Sequence, residues 1–564
     1  MKKNVASKLI AGALASAMVL SMAACGDDSG NSGSTSKPSS PSVSTPSSPA
    51  ASGGGESSEA PKDELEVLKI KVSLPRDTKN EAVANGTDET YLKLVEAINE
   101  YTHMDIEWEW LEQATYYDQL AMRYAAGNVT DVMVVGNDAN FINAAQGGLF
   151  WDLTDYLDDY DNLKTIPEIT RLTASYNGTI YGVPRSRTLA RSGLGYRLDW
   201  LNNLGLKEPT DLAAFEAMLE AFTYNDPDQD GQNNTVGLGL DSWTGAFDIM
   251  MLWFGVPDTW GIDANGDLIH YSQTPEYKTA LAKFRDWYSR GLINDGSNGI
   301  PDFRDVSPGK ARDELLRTGL AGVGVQVLDD ERKVQTYFEQ QQLYGQPEEG
   351  QTDRSKLAFT LQSYVDTGLG GKTKANNGGM NNMIAISTVN IKTEDQLRRV
   401  LQFLNDVTDG ECINLIEYGW QDLTYELDEN GYVNLLQGDD LSAKGVATVD
   451  YRNGFNQIIP YFTAPENARP VDRAPANTAI TLLENELYAA GIPLIVTNYG
   501  TGYDSKTNLE KGSDLATILS ESMIAYITGE KDEAYLDSEL ARWLTAGGAD
   551  VTKEMNELYH AAGN

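Results

Sequence analysis

The chain has 564 residues, with 83 acidic against 44 basic side chains and a formal net charge of −39. Charge of that sign repels phosphate backbones and argues against a nucleic-acid partner. Of the two cysteines one lies near the N-terminus, so no disulfide can form inside a folded domain, and about 500 residues must rely on their own core.

Met1, Lys2, Lys3 and Lys8 give a positive start, residues 9–22 are apolar, and Met22-Ala23-Ala24-Cys25 closes the segment. That order belongs to an export peptide, and the apolar run is shorter than the roughly 20 residues of a membrane span. A Cys directly behind small residues resembles the lipobox of bacterial lipoproteins. The resemblance implies a signal peptide over residues 1–24 and a diacylglyceryl group on Cys25, holding the protein to the outer face of a cell membrane through the lipid bilayer. Residues 25–62 are mostly Ser, Pro and Gly and cannot bury a core. As a flexible tether they reach roughly 30–40 Å. The folded region is then 63–564, and no later segment is apolar enough to span a membrane.

From residue 65 the pattern changes. Residues 65–74 and 106–110 alternate as strands do, with a helix predicted over 91–101 between them. A second helix is predicted over 116–126, followed by a short buried strand at 131–135 and Gly136. Strand and helix in alternation imply βα units and a mainly parallel sheet. The same rhythm returns later, with helices predicted at 198–204, 211–222, 275–290 and 394–407 and buried strands at 321–326 and 383–387. The Asn-Gly pairs in 263–267 and 428–431 predict hairpin turns, because Asn-Gly tolerates the positive φ such turns need. Residues 510–560 read as mostly helical.

The three histidines, His103, His270 and His560, have no metal-ligand spacing, and no thiol is placed beside a base. The sharpest local motif is Asp226-Pro227-Asp228-Gln229-Asp230-Gly231-Gln232-Asn233-Asn234. Oxygen side chains at every second position with Gly at the sixth match the first half of an EF-hand-type loop, which wraps a hard cation. Asp226, Asp228 and Asp230 offer carboxylates, Gln232 its backbone carbonyl, and Asn234 a side-chain or water-mediated contact to Ca2+. The twelfth position, where an EF-hand carries Glu, is Gly237; a solvated turn rich in Asx hydrogen bonds is the other reading. Among the ten tryptophans, Trp243, Trp260 and Trp420 are candidates to lie on the C–H face of a sugar ring. Trp253 sits in an apolar run and reads as core, whereas Trp260 reads as a loop residue.

Several segments together resemble the family 1 extracellular solute-binding lipoproteins, the capture components of ABC importers for sugars. They are Gly178-Thr179-Ile180-Tyr181-Gly182-Val183-Pro184-Arg185, Tyr196-Arg197-Leu198-Asp199-Trp200-Leu201, Leu204-Gly205-Leu206-Lys207-Glu208-Pro209-Thr210, the Asp226 loop, and Phe254-Gly255-Val256-Pro257 before Trp260. The resemblance spans nearly all of 65–564. The Asp226 loop is similar to a calcium loop of the family's oligosaccharide-binding branch, but this chain has Asn234 and Thr235 where that branch usually has acids.

The resemblance implies an α/β fold with two lobes of the periplasmic-binding-protein type, built of mainly parallel sheets flanked by helices. Lobe 1 would comprise about 65–188 and 380–430, and lobe 2 about 190–378 and 440–564. A carbohydrate, expected to be an oligosaccharide, would lie in the cleft between them and pass to an ABC transporter permease. Arg185, Tyr196, Arg197, Asp199, Trp243, Trp260 and Trp420 are the candidate ligand residues, with Tyr499 and Tyr503 behind them. Two other readings stay open from the residues alone. A secreted glycan-cleaving enzyme needs two carboxylates at a set separation, and a peptide or amino-sugar binder could use the same fold.

Overall fold

Alternation of side chains shows how the first sheet forms. In β1 (Leu68–Arg76) Ile70, Val72 and Leu74 are buried. Lys69 and Lys71 face the other way and pair with Asp105 (3.4 Å) and Glu107 (3.0 Å) on the adjacent β2 (Met104–Glu112). β3 (Val132–Val135) is buried at every residue, and β4 (Val183–Ser186) follows it in the chain. The computed structural model describes residues 67–344, 353–427, 433–460 and 478–563. The export segment, Cys25, the linker and the turn expected at 428–431 lie outside the described residues.

Four further strands, β5 (Ser192–Arg197), β6 (Val236–Leu238), β7 (Ala321–Val327) and β8 (Phe359–Gln362), build a second sheet in the order β8-β5-β7-β6. β9 (Met380–Ile386) then returns to the first sheet, whose order is β2-β1-β3-β9-β4. Helices Glu89–Thr102 and Tyr116–Ala126 make the crossovers from β1 to β2 and from β2 to β3, so β1 is parallel to both. Asp88 starts the first of these helices by accepting from Tyr91 N at 2.9 Å, and Gly127, with φ of 62°, ends the second.

The expectation of mainly parallel sheets needs correction. Among the strands of these two sheets, β1–β2, β1–β3 and β6–β7 are parallel, while β3–β9, β9–β4, β5–β7 and β5–β8 are antiparallel. β5 and β9 each enter a sheet from the other lobe rather than from a helical crossover within it, so nothing imposes the parallel sense.

Each sheet has its own hydrophobic core. The second includes Trp200, Trp253 and Trp287, and the C-terminal helices Lys506–Ile527, Glu533–Trp543 and Ala549–Ala561 pack into it. Helix Leu328–Gln340 lies so close to β5 that a Cβ at Gly193 would stand 2.4 Å from Leu328. Residues 441–459, assigned from sequence to the second lobe, instead pack in the first core through Leu441, Tyr451, Phe455 and Ile458. The Phe455 ring draws the segment there, with its centroid 4.9 Å from Trp108, 5.0 Å from Trp110 and 5.6 Å from Tyr91. Such aromatic pairs add about 0.5–1.5 kcal/mol each beyond area burial.

Residues 187–191 and 363–379 connect the two sheets and hydrogen-bond to each other, Arg187 N to Gly379 O at 2.9 Å and Asn376 N to Leu189 O at 2.8 Å. Among the described residues no helix is long and apolar enough to cross a membrane.

Candidate ligand cleft

Strand direction says where a ligand can sit. In open α/β sheets the carboxyl ends of parallel strands, where chain leaves the sheet as loops, form the binding edge. In the first sheet β1 and β3 run together, and β4 is aligned with them because both neighbours of β9 oppose it. Their ends present Asp77 and Thr78, then Asn137 and Asp138, then Arg185 and Arg187. In the second sheet Ser192, the first residue after the crossing, is opposite Val327, so the carboxyl ends of β6 and β7 lie at the crossing edge. Leu240, Asp241 and Trp243 follow β6 there. Both binding edges therefore adjoin the same crossing.

On the first lobe, Arg185 is 4% exposed and its Nη2 donates to Asn456 O at 3.5 Å. Tyr117 packs edge-on against Tyr116 with centroids 5.2 Å apart and keeps 36% of its surface open. Burial pushes its hydroxyl up to about 12, against the pull of Arg185, and its side chain meets Asn382. Asn382 stands at φ of 64° where the β9–β4 register shifts between Met380 and Met383. Bulges of this kind re-aim side chains beside binding sites. Asp138 accepts from Asn140 N (2.8 Å) and Phe141 N (3.0 Å), which fixes it at the start of helix Ala139–Gln146.

On the second lobe a buried ionic network backs the edge. Arg312, 2% exposed, bonds to Glu331 and Gln326 and to Asp313 at 2.7 Å, with Asp241 4.0 Å away. Burial holds the carboxyls of Asp241, Asp248 and Asp258 above their ordinary range; Arg312 opposes it at the first and Lys374, from the second crossing, at the other two. Asp241 also accepts from Trp243 N at 2.9 Å. The half-buried Trp243 ring lies over Gly245 so closely that a Cβ there would stand 1.9 Å from it, so glycine is what lets this ring fold down on its own helix. Further out, Asn177 N donates to Gly502 O at 2.8 Å, and Asp504 N donates to Asn177 Oδ1 at 3.3 Å, so the loop of Tyr499 and Tyr503 touches the first lobe.

The residues singled out from sequence do not converge. Arg185 and Trp243 occupy the facing edges. Tyr196 and Arg197 close the far end of β5, four and five residues from the crossing, or roughly 13–17 Å away at strand rise. Tyr196 donates to Glu208 Oε2 at 2.7 Å. Arg197 holds Asp199 through two bonds of 2.7 and 2.6 Å and lies over the rings of Trp200, Phe338 and Tyr344. These three residues hold the second lobe together. Trp260 is not in a loop but begins a short hairpin strand, Trp260–Ile262, and is 2% exposed beneath Gly500. Trp420 is partly open, with the Lys93 ammonium covering its face at 4.2 Å. Asp77, Thr78, Tyr117, Asp138, Arg187 and Asn382 carry no motif; only the strand-end rule could have picked them out.

The Asp226 loop precedes β6 and so lies at the edge remote from the crossing. One oxygen from each of Asp226, Asp228 and Asp230 falls within 4.8 Å of the others. Asp226 Oδ1, Asp228 Oδ1 and Asn234 Oδ1 are buried acceptors that meet no donor, whereas Gln232 Nε2 and Asn234 Nδ2 donate to Asp230 Oδ2 at 3.0 and 3.1 Å. Gly231 makes the sharp bend at φ of 80°. The twelfth position is closed, since a Cβ on Gly237 would stand 2.6 Å from Leu219 O.

Two lobes with facing binding edges and direct chain crossings define an interlobe cleft. Comparison with known proteins shows which chains of this architecture the protein resembles. Residues 93–305 match the family described as bacterial extracellular solute-binding protein. Lipoprotein LipO of Bacillus subtilis is 29% identical over 480 residues, 83% of this chain and 89% of LipO. The polygalacturonan/rhamnogalacturonan-binding protein YtcQ of the same organism is 25% identical over 477 residues, 83% and 88% of the two chains. The crystal structure of an extracellular solute-binding protein from Bifidobacterium longum subsp. infantis shares the fold with a TM-score of 0.63 at 16% identity, covering 88% of this chain and 99% of that one. The chain is thus similar to the bacterial extracellular solute-binding proteins over residues 93–305, and to curated relatives over most of its length.

Proposed function

We propose that the protein captures an oligosaccharide in the interlobe cleft, leaves it intact, and hands it to the permease of an ABC importer. The observation that carries this reading is the pair of facing edges at the crossing, with Arg185 on one and Trp243 on the other. A guanidinium supplies paired donors to hydroxyls, and an indole face takes the apolar side of a sugar ring. A ligand that touches both edges does so only when they approach, so binding and closure are coupled. The name of YtcQ, a binder of pectic polysaccharides, supports a carbohydrate ligand. Cys25 would carry the lipid that keeps the domain near its transporter, where tethering raises effective concentration; LipO is likewise named a lipoprotein.

The Asp226 loop fits a Ca2+ ion. Asp226, Asp228, Asp230 and Asn234 would hold it, with the donor-less Asp226 Oδ1, Asp228 Oδ1 and Asn234 Oδ1 as ligands beside an Asp230 oxygen. Bound there, the ion would pin the loop between helix Leu212–Tyr224 and β6, a structural role remote from the cleft.

Titration with a panel of oligosaccharides, read by tryptophan fluorescence and by chromatography of the recovered sugar, tests the capture. Saturable binding with sugar returned unchanged is expected, and Trp243→Ala should weaken it about tenfold, the worth of one stacking contact. Shortened products would replace capture with hydrolysis.

A further inference from the structure

Beside Arg185, on the first lobe's binding edge, lies a mainly polar recess of about 250 Å³, lined by Asp77, Thr78, Glu417, Asp450, Arg452, Asn453 and Asn456 along with two apolar side chains. Pockets that enclose a whole drug-sized ligand run to roughly 300–1,000 Å³, so this one suits a single ring rather than a chain.

Its walls are fixed before any ligand arrives. Asn453 Oδ1 accepts from both Asp77 N (3.1 Å) and Thr78 N (3.2 Å), which ties the loop after β1 to the segment 449–456. Thr78 Oγ1 donates to Asp450 Oδ2 at 3.0 Å, and Arg452 Nη1 is held by Glu417 O. Asn453 sits at φ 45°, ψ −124°, a conformation that non-glycine residues rarely adopt. Strain of this kind persists only where the surroundings enforce it, and it gathers at ligand clamps. Behind the wall the Phe455 ring anchors the segment between Trp108 and Trp110.

The chemistry of the lining names the occupant. Three carboxylates, Asp77, Glu417 and Asp450, accept hydroxyl protons; Arg452 and Asn456 donate to hydroxyl and ring oxygens. Among the described residues the carboxylates that converge on a cation position are those of the Asp226 loop and not these. With three carboxylates against one guanidinium, a carboxylated ring would meet like charge in the recess.

Resting on the capture reading above, we infer that this recess is a subsite for one sugar ring without negative charge, and that it sets which rings the cleft accepts beside Arg185. Calorimetric titration of the full chain with nystose, xylotetraose, mannotetraose, galactotetraose, glucosamine tetramer and tetragalacturonate tests it. The tightest binder should be one of the five non-anionic tetramers, bound at least tenfold more tightly than tetragalacturonate. Asp450→Asn, which can still accept from Thr78, and Asn456→Ala, an exposed side chain, should each weaken that tetramer at least fivefold without lowering the melting temperature. Preference for tetragalacturonate, or affinities within twofold of wild type in both variants, would overturn the subsite while leaving capture intact. Failure of wild type to bind any saccharide on a broad panel overturns both.

Discussion

Replacing Asp228 by Asn separates a calcium loop from a solvated turn, because the two predict opposite signs. Oxygens of the three carboxylates lie within 4.8 Å of one another. At that spacing each like-charged pair costs about 0.9 kcal/mol in water and about half of that after screening at physiological salt, so the loop without a cation carries about 1.5 kcal/mol of repulsion. The Asp228 carboxyl is accordingly held above its usual range, by burial first and by Asp230 and Asp226 next. Asp228→Asn removes two of the three pairs and should leave stability in a chelator equal or about 1 kcal/mol higher. In millimolar Ca2+ the wild type gains about 2.7 kcal/mol if the free ion is a hundredfold above Kd, and the variant loses most of that. Thermal unfolding of both proteins in 1 mM CaCl2 and in excess EGTA reads the difference. The variant should melt lower than wild type in calcium and no lower in EGTA. Equal shifts in both buffers, or a wild-type melting temperature indifferent to EGTA, would refute the bound ion.

Burial pushes the Asp504 carboxyl up to about 7, with Asn508 Nδ2 opposing it from 2.8 Å. A raised acid holds its proton in the folded state while the unfolded chain has lost it, so this group costs stability as pH rises from about 4 to about 7, by about 4 kcal/mol in full. Asp504→Asn should therefore raise the melting temperature at pH 8 and change it little at pH 4; an equal effect at both would contradict the burial argument. Arg197→Ala breaks a buried pair and should cost about 3–5 kcal/mol in denaturant unfolding of the second lobe, with saccharide affinity of the folded protein unchanged. A variant of normal stability that has lost affinity would return Arg197 to the binding site. Cys25→Ala should move the protein from the membrane fraction to the medium with the same Kd; continued membrane retention would sink the lipid anchor.

Much of the fold was legible because periodicity is local. Residues 116–126 and 198–204 are helices over the predicted spans, and the strand expected at 321–326 runs Ala321–Val327. The hairpin turn at 263–267 joins Trp260–Ile262 to Leu268–His270. Lobe membership was less legible, since 441–459 contains short 3₁₀ turns with no repeating period. Its place is decided by Phe455 meeting rings more than 300 residues earlier in the chain. The site suffered most. Arg197 and Asp199 stand in a segment that resembles the solute-binding family, and only the direction of β5 shows that they close the end of the sheet remote from the crossing. Conversely, Thr78, Asp138 and Asn382 are unremarkable in sequence and become neighbours of the cleft through strand order.

Capture by closure makes one quantity decisive. Small-angle scattering of the full chain, with and without a saturating oligosaccharide from the panel, should show a smaller radius of gyration in the bound state, with the sugar recovered unshortened from the same sample. An unchanged radius at saturation, or sugar recovered as shorter products, would contradict capture in a closing cleft.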